Sequence, residues 1–119
     1  MADNSFLQWP FLEDSHRELA ATLDRWAEDN IPDLVANEHE DLDGTCVGIV
    51  RALGEAGFTG YAVPASAGGI TEKLDVRSLC IIRETLGRHH ALADFAFAMQ
   101  GLGSGPVSLF GTAQQQENY

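Results

Sequence analysis

Apolar residues recur at intervals of three and four along most of the chain, which is the spacing of one face of an α-helix. The first stripe predicts a helix that begins at Pro10, because proline suits a first helical position. The helix is expected to end near Asn30, since Pro32 disfavours helical geometry at the residue before it. An acidic connector, 33–42, follows. The inward face of this helix comprises Leu12, His16, Leu19, Leu23, Trp26 and Ala27.

The second stripe predicts a helix with Asp43 as its N-cap. Gly57 is expected to end this helix in a left-handed conformation, and Phe58 follows where such a C-cap places a hydrophobic contact. The stretch 57–70 then holds four glycines and a proline, which is long and loose for a link between two helices. A link of this length is usually functional, disordered, or shaped to fit against something else. The stripe itself comprises Cys46, Ile49, Val50, Leu53 and Ala56.

The third stripe predicts a helix with two alternative starting points. Either Thr71 with Glu72, or Asp75, can open it, and Gly87 can end it. Leu79, Ile82 and Leu86 form its buried line.

The fourth apolar segment differs from the others because it is apolar on all sides. Nine of the thirteen residues in 91–103 are apolar, and only Asp94 and Gln100 are polar. A helix that is apolar all round is expected to be buried all round, yet a chain of 119 residues has few elements to cover it. A separate short helix is predicted after Pro106, ending at Gly111.

Thr112 and Gln115 match the capping box that begins a helix, although only two turns of sequence follow. The patterns predict an all-α, up-and-down helical domain of about five to six helices. The domain is expected to span 11–119, after an N-terminal extension, 1–10. The fourth segment is more apolar than the rest of the chain can cover, and the last helix is short. Both features suggest that this sequence is the N-terminal part of a longer protein. The stretch 59–63 is too short and isolated to build a sheet.

Composition and charge exclude several classes of function. The net charge is −11, and residues 1–43 hold twelve acidic residues against two arginines. A nucleic acid partner is not expected, because such binding neutralises phosphates with cations. No apolar run reaches the length of a membrane span, and the N-terminus lacks the pattern of a signal peptide, so we expect a cytoplasmic protein. Cys46 and Cys80 form no metal spacing and are interpreted as buried, reduced thiols.

A search for catalytic or metal-binding patterns finds none that is specific. His89 and His90 are adjacent and would point about 100° apart on a helix, so a solvated or capping role is favoured over a shared metal. His16 is interpreted as a partly buried histidine with a hydrogen-bond partner, and His39 as exposed. The acidic residues of 38–43 lack the pattern of a calcium-binding loop. No metal site and no catalytic residue is predicted.

Four motifs in order resemble the N-terminal helical domain of the acyl-CoA dehydrogenase family. "LGEAGFTGYAVPASAGGI" is similar to the helix end, Gly–aromatic turn, proline and Gly–Gly pair of that family. "IIRETLGRHHALADFAF" resembles the entry to its central apolar helix, and "GLGSGPVSLFG" the short helix after it. "FGTAQQQENY" resembles the start of the last helix before the family's β-domain. Together these motifs cover nearly all of 11–119.

The resemblance implies an enzyme larger than this chain. Its β-domain and C-terminal helical bundle would carry most FAD contacts and the catalytic glutamate, so no residue here inherits those roles. The implied reaction is α,β-dehydrogenation of an acyl-CoA thioester, in which a carboxylate removes the α-proton and flavin accepts the β-hydride. The implied partners are an acyl-CoA substrate and an electron-accepting flavoprotein, in a homo-oligomer. This chain alone is expected to bind no FAD and to be inactive.

Alignment of Pro106 and Gly111 with the family's pattern assigns four residues to part of the acyl pocket wall. Their spacing places them on one helical face, and plain core packing is the alternative for each. They are Phe95, Ala98, Met99 and Leu102.

Two departures keep other interpretations open. Ala65 and Ala67 stand where the family often has an acidic and an aromatic residue, which puts a standard subfamily assignment in doubt. The alternative function is a non-catalytic acidic helical interaction module without a cofactor. A further possibility is an enzyme whose remaining domains come from a separate chain.

Overall fold

The computed structural model describes residues 3–119, and within them the protein is all-α, as the apolar pattern predicts. Between residues 3 and 119 the only β-type pairing is an isolated bridge between Pro64 and Thr71. Three short 3-10 helices accompany the α-helices, at Ser5–Gln8, Phe58–Ala62 and Ala65–Ala67. The α-helices are α1 (Asp14–Leu34), α2 (Leu42–Glu55), α3 (Val76–His89), α4 (Ala91–Phe110) and α5 (Ala113–Asn118).

Helix α1 begins and ends about four residues later than its pattern predicts. Pro10 lies in a turn, and the helix starts with a capping box in which Glu13 and His16 bond each other's backbone N–H. The predicted end near Asn30 is wrong, because Pro32 lies inside the helix. Ile31, only 3% exposed, is held in the core, and the helix ends at Leu34, one turn after the core residue. Burial of Ile31 therefore outweighs the local preference against helix before proline.

Helix α2 begins two residues before the predicted start. Its N-cap is Asp41, whose side chain accepts a hydrogen bond from the backbone N–H of Gly44 at 2.9 Å, and not Asp43. Its C-terminal end confirms the prediction, since Gly57 has φ of 85° and Phe58 is buried against the core. A left-handed residue at this position satisfies the last carbonyls of the helix and turns the chain back onto the core.

The loop after α2 folds onto itself. It contains two 3-10 helices, Phe58–Ala62 and Ala65–Ala67, so the stretch 59–63 is not a strand. Gly69 packs directly on the backbone carbonyl of Val63, which leaves no room for a β-carbon. The glycines of this loop therefore serve a close backbone approach, here within the loop itself.

Asp75 is the N-cap of α3, and its carboxylate accepts a hydrogen bond from the backbone N–H of Arg77. Of the two predicted starting points, the structure therefore selects Asp75. The predicted end at Gly87 is wrong, because the helix continues to His89. The chain breaks only at His90, which adopts an extended conformation and caps the next helix.

Helix α4 is a single element of 20 residues, whereas the sequence predicts two helices separated before Pro106. Pro106 lies in its last turns, where it removes one backbone hydrogen bond without ending the helix. Gly111 follows the last residue, as predicted. The capping box of Thr112 and Gln115 is confirmed, with both hydrogen bonds formed at the start of α5.

The core forms where α1 packs on α3, α3 on α4, and α2 on α4. The principal-axis extents of 44, 43 and 18 Å describe a thin slab. Its radius of gyration, 14.8 Å, exceeds the roughly 13.5 Å typical of a compact domain of this length. A slab of this thickness leaves one face of several helices without cover. The largest fully buried side chains are Phe97, Leu23, Ile49, Leu53, Ile82, Leu86 and Thr85.

Candidate functional site

Helix α4 presents two faces with opposite environments. Ala93, Ala96 and Phe97 point inward and are at most 4% exposed. On the outer face, Phe95 is 57% exposed and Leu102 is 67% exposed. The expectation that a chain of this length has too few elements to cover this helix on all sides is therefore confirmed, because a thin slab covers only one side of it.

The four residues predicted for the acyl wall all lie on the outer side of α4. Phe95, Met99 and Leu102 are exposed, and Ala98 is half-buried. Their spacing of three, four and seven residues places them in one stripe along the helix. An exposed stripe of large apolar side chains differs from plain core packing, because core residues would be covered within the domain.

A groove between α2 and α4 gathers two of these four residues. Phe95 and Met99 line one side of it, and the groove has a volume of about 440 Å³. Ala98 and Leu102 do not line this groove and lie further around the helix. The opposite side consists of Cys46, Val47, Val50 and Arg51 from α2.

The polar groups of this groove are few. The side-chain N–H of Gln100 donates a hydrogen bond to the backbone carbonyl of Ala96, at 3.1 Å. Arg51 is the one basic residue in the lining. Such a lining suits an alkyl chain, because Arg51 and Gln100 are the only polar residues in it. It does not suit the pyrophosphate of a dinucleotide, which needs several convergent N–H donors.

The apolar surface extends beyond the four predicted residues. Leu109 and Phe110, at the end of α4, are 67% and 86% exposed, and Tyr119 is 92% exposed. The apolar pattern predicts a separate short helix for Leu109 and Phe110 and indicates no role for them. Leu109 and Phe110 follow Leu102 by seven and eight residues, which is a helical spacing. This spacing would have placed them on the outer side of α4 if one continuous helix had been predicted across Pro106.

An ion pair joins α3 to the first turn of α4. Nε and Nη2 of Arg83 donate to the two carboxylate oxygens of Asp94, both at 2.8 Å. This hydrogen bonding raises the pKa of the Arg83 guanidinium further. Because Asp94 precedes Phe95 on the helix, the pair lies at the start of the exposed stripe.

The histidines at the junction of α3 and α4 also act as structural anchors. His90 accepts the backbone N–H of Leu92 on Nδ1, which confirms a capping role. His89 bonds Asp24 of α1 at 2.7 Å, and this hydrogen bond, together with Arg88, lowers the pKa of the Asp24 carboxyl despite partial burial. The pair thus ties the junction back to α1.

His16 is buried and fully partnered, as predicted. Its Nδ1 accepts the backbone N–H of Glu13 at 3.0 Å, so Nε2 carries the proton and donates to Asp75 at 2.7 Å. Burial acts to raise the pKa of Asp75, but hydrogen bonds from His16, Arg77 and Ser78 outweigh it and hold that pKa well below its usual range. This cluster joins α1 to the start of α3.

The remaining candidates for chemistry are distributed over the surface. His39 is exposed, as predicted. The interpretation of both cysteines as buried is wrong, since Cys46 is half-buried and Cys80 is exposed. In the part of the chain that the structure describes, no three His, Cys, Asp or Glu side chains gather as metal ligands. Over residues 3–119, no helix is both long and apolar enough to cross a membrane.

Comparison with known proteins agrees with this architecture. Residues 13–119 match the family model "Acyl-CoA dehydrogenase, N-terminal domain". The chain therefore belongs to the acyl-CoA dehydrogenase family and corresponds to its N-terminal domain.

One curated relative shows how much of a family member the chain represents. A "Probable acyl-CoA dehydrogenase" of Bacillus subtilis (strain 168) is 30% identical over 107 residues. The matched region covers 89% of this chain and 18% of that protein. The chain thus spans less than a fifth of the length of the curated relative that it matches.

Proposed function

We propose that the chain is the N-terminal portion of an FAD-dependent acyl-CoA dehydrogenase, and that the outer face of α4 forms part of the wall of its acyl pocket. The reaction proposed for the complete protein is α,β-dehydrogenation of an acyl-CoA thioester. The observation that carries the proposal is the exposed apolar stripe of α4 in a chain that belongs to this family.

Within this chain, the proposed role is to bind and orient the acyl chain. Phe95 and Met99 offer apolar surface to an alkyl group, and burying each methylene against them contributes about 0.8 kcal/mol. Ala98 gives the acyl chain room between larger neighbours, and Leu102 extends the wall by about one helical turn. By excluding water from this part of the pocket, these side chains favour a thioester with an apolar tail over one with a polar tail.

FAD is proposed to be held by other parts of the complete protein. Seven basic residues are present in the chain, and four of them, Arg17, Arg77, Arg83 and Arg88, already form ion pairs with acidic residues. The α4 groove contains no cluster of donors that would suit a pyrophosphate. We therefore assign no FAD contact and no catalytic step to a residue of this chain. An electron-accepting flavoprotein and a homo-oligomeric assembly are proposed for the complete protein on the same family grounds.

The test uses the protein at its natural length and measures FAD-dependent oxidation of acyl-CoA substrates of several chain lengths. Met99→Glu places an unpaired charge against the acyl chain, and we expect at least a tenfold loss of kcat/KM, which corresponds to about 1.4 kcal/mol. Met99→Leu, which keeps the volume and polarity, should retain activity.

Leu42→Glu is the matched control, because Leu42 is 55% exposed and does not line the groove. We expect its kinetics to equal those of the unmodified protein. Unchanged kinetics for Met99→Glu on every chain length would contradict the assignment of the acyl wall. A protein that oxidises no acyl-CoA at all would overturn the proposed reaction and favour the non-catalytic interaction module.

A further inference from the structure

The groove between α2 and α4 gives the exposed stripe of α4 a second wall. A single helical face contacts an alkyl chain from one side only. In this groove, Val47 and Val50 of α2 lie opposite Phe95 and Met99 of α4. An alkyl chain that lies along Phe95 and Met99 therefore contacts α2 on its other side.

The side chains that line this groove suit an apolar occupant. Val47 is 48% exposed and Met99 is 43% exposed, so an occupant would remove apolar surface of both helices from water. Cys46 is half-buried, and a thiol in such a place packs as a small hydrophobe. Arg51 is exposed, and an arginine can line a groove with its methylene stem while its charge stays in water. The lining thus favours an alkyl chain over an occupant with polar groups along its length.

The size of the groove indicates the length of chain that it accepts. Its volume is about 440 Å³. A methylene group occupies about as much space as a water molecule, roughly 30 Å³, so the groove has room for on the order of ten methylene groups. A butyryl group would leave most of this space unfilled, whereas a long acyl chain would fill it.

The end of the acyl chain far from the thioester is the part that fits this groove. The carbons that react must lie beside the flavin and the catalytic base, and both are proposed to be held by other parts of the complete protein. Arg51 and Gln100 are the only polar residues in the lining, and neither is an acid. Ala98 and Leu102 continue the stripe outside the groove. The thioester therefore lies beyond the stripe, and the distal methylenes lie in the groove.

We propose that the groove between α2 and α4 holds the distal end of the acyl chain, and that Val47 is a specificity-determining residue of the complete enzyme. The substrate class is then acyl-CoA thioesters with chains of about ten carbons or more. This inference rests on the proposed function, to which it adds a second helix of the acyl site and a chain length.

A helix from another part of the complete protein is the competing occupant. Packed helices lie about 8–10 Å apart, whereas an added helix is about 10–12 Å across with its side chains. Such a helix would rest on the rims of α2 and α4 and would reach the groove only with the tips of its side chains. An alkyl chain is thin enough to lie along the groove and to contact both walls. The two occupants differ in one testable respect, since a packed helix would cover Cys46 whether or not substrate is bound.

The two cysteines of this chain allow a direct test of binding in the protein at its natural length. Cys46 lines the groove, and Cys80 is exposed outside it. The protein is treated with N-ethylmaleimide in the absence of an electron acceptor, with saturating lauroyl-CoA, with saturating butyryl-CoA, or with neither. Peptide mass spectrometry then measures the labelling of each thiol.

We expect lauroyl-CoA to slow the labelling of Cys46 at least tenfold and butyryl-CoA to slow it less than twofold. Cys80 should react at the same rate in all three conditions. Equal protection of Cys46 by the two thioesters, or protection by neither, would overturn the proposal. A Cys46 that is unreactive even without a thioester would identify a protein segment as the occupant and would equally overturn it.

Added bulk in the groove tests the role of Val47 by kinetics. Val47→Phe places a ring in the groove, and the ratio of kcat/KM for lauroyl-CoA to that for butyryl-CoA should fall at least tenfold. Leu42→Phe adds a ring at an exposed position at the start of α2, outside the groove, and should leave this ratio unchanged. A Val47→Phe protein that is folded by circular dichroism and keeps the ratio would refute the role of Val47.

A change of charge tests the same position without requiring additional room. Val47→Asp places a carboxylate beside the distal methylenes, and the same ratio should again fall at least tenfold. Leu42→Asp is the matched control and should leave the ratio unchanged. A folded Val47→Asp protein with an unchanged ratio would count against the groove as part of the acyl site.

Failure of this inference is distinguishable from failure of the proposed function. A protein that oxidises neither thioester would overturn the proposed function and this inference with it. A protein that oxidises both thioesters, yet shows neither protection of Cys46 nor an effect at Val47, would keep the proposed function and overturn the inference about the groove alone.

Discussion

Single residues set the turns and junctions of this domain, and each acts through a distinct physical property. Gly57 contributes backbone freedom, since its φ of 85° strains any residue with a β-carbon. Asp75 contributes charge, because its carboxylate accepts hydrogen bonds from His16, Arg77 and Ser78 at once. Gly57 and Asp75 lie at the two ends of the loop between α2 and α3. Gly57 follows the C-terminal end of α2, and Asp75 caps the N-terminal end of α3.

Replacement of Gly57 isolates the conformational cost of the left-handed turn. No atom lies within 4 Å of a β-carbon built at this position, so the cost is not steric. Gly57→Ala should lower the free energy of unfolding by about 1 kcal/mol, and Gly57→Val by more. Chemical denaturation measures the change. Gly48→Ala, inside α2 and equally free of neighbours, should instead raise stability by about 0.5–1 kcal/mol.

The carboxylate of Asp75 predicts a dependence of stability on pH. Its pKa is lower in the folded protein than in the unfolded chain, so its contribution is present at neutral pH and is lost as pH falls below the usual value near 3.8. Asp75→Asn should lower the free energy of unfolding at pH 7 by about 1 kcal/mol or more. The difference between the two proteins should shrink between about pH 4 and pH 2.

Asp29→Asn provides the control for the pH experiment. Asp29 lies exposed on α1 and has no hydrogen-bonded side-chain partner among the described residues. Its replacement should leave both the stability and its pH dependence nearly unchanged. A constant difference between Asp75→Asn and the unmodified protein down to pH 2 would contradict the assigned role of the charge.

At the scale of the helices, polar contacts beside the junction between α3 and α4 supplement the packing that orients α4. The two helices are separated by His90 alone, so their relative orientation depends on contacts beside the junction. The ion pair of Arg83 with Asp94 is bidentate, and His89 ties the end of α3 to Asp24 of α1. These contacts join the helices beside the junction, while packing of Ala93, Ala96 and Phe97 into the core leaves the opposite stripe exposed.

A double-mutant cycle of Arg83→Ala and Asp94→Ala measures the coupling across this junction. We expect a coupling free energy of about 0.5–1 kcal/mol, at the upper end for partly exposed pairs, because both oxygens of the carboxylate are engaged. The cycle of Arg17→Ala and Asp14→Ala serves as a comparison. Asp14 is fully exposed, so that cycle should show no measurable coupling. Equal coupling in both cycles would contradict a special role for the bidentate pair.

At the scale of the whole molecule, the slab is thin enough that one layer of helices leaves large apolar side chains uncovered. Exposed side chains of this kind occur on α4, at Phe95, Met99, Leu102, Leu109 and Phe110. Apolar patches above a few hundred Å² usually mark contact sites. The patch therefore agrees with a domain whose outer face meets other parts of a longer protein or its substrate.

The 119-residue chain is expected to bind a hydrophobic fluorescent dye through this patch. Met99→Glu should reduce the enhancement of dye fluorescence, since it places a charge in the middle of the stripe. Ser66→Glu adds the same charge outside the stripe and should leave the fluorescence unchanged. A chain without dye binding, or equal effects of both variants, would show that the exposed face of α4 is not a continuous apolar surface.

The local pattern alone was sufficient to predict the helical class, the left-handed turn at Gly57 and the capping box of Thr112 with Gln115. These features depend on neighbours within one or two turns, so the information lies in short stretches of sequence. The motif order was also sufficient to indicate the family, which the match over 13–119 confirms. The stripe of Phe95, Ala98, Met99 and Leu102 could be proposed from helical spacing, and its role in the acyl wall stays a prediction.

The tertiary structure decided the features in which a local preference competes with packing. Helix α1 continues through Pro32 because burial of Ile31 holds the preceding turn in place, and α4 continues through Pro106 although glycine and proline both disfavour helix there. Exposure is likewise a property of the whole arrangement: Cys80 and Phe95 each lie in an apolar stretch, yet both face outward. Sequence spacing indicates which residues share a face, and only the packing of the helices determines which face is covered.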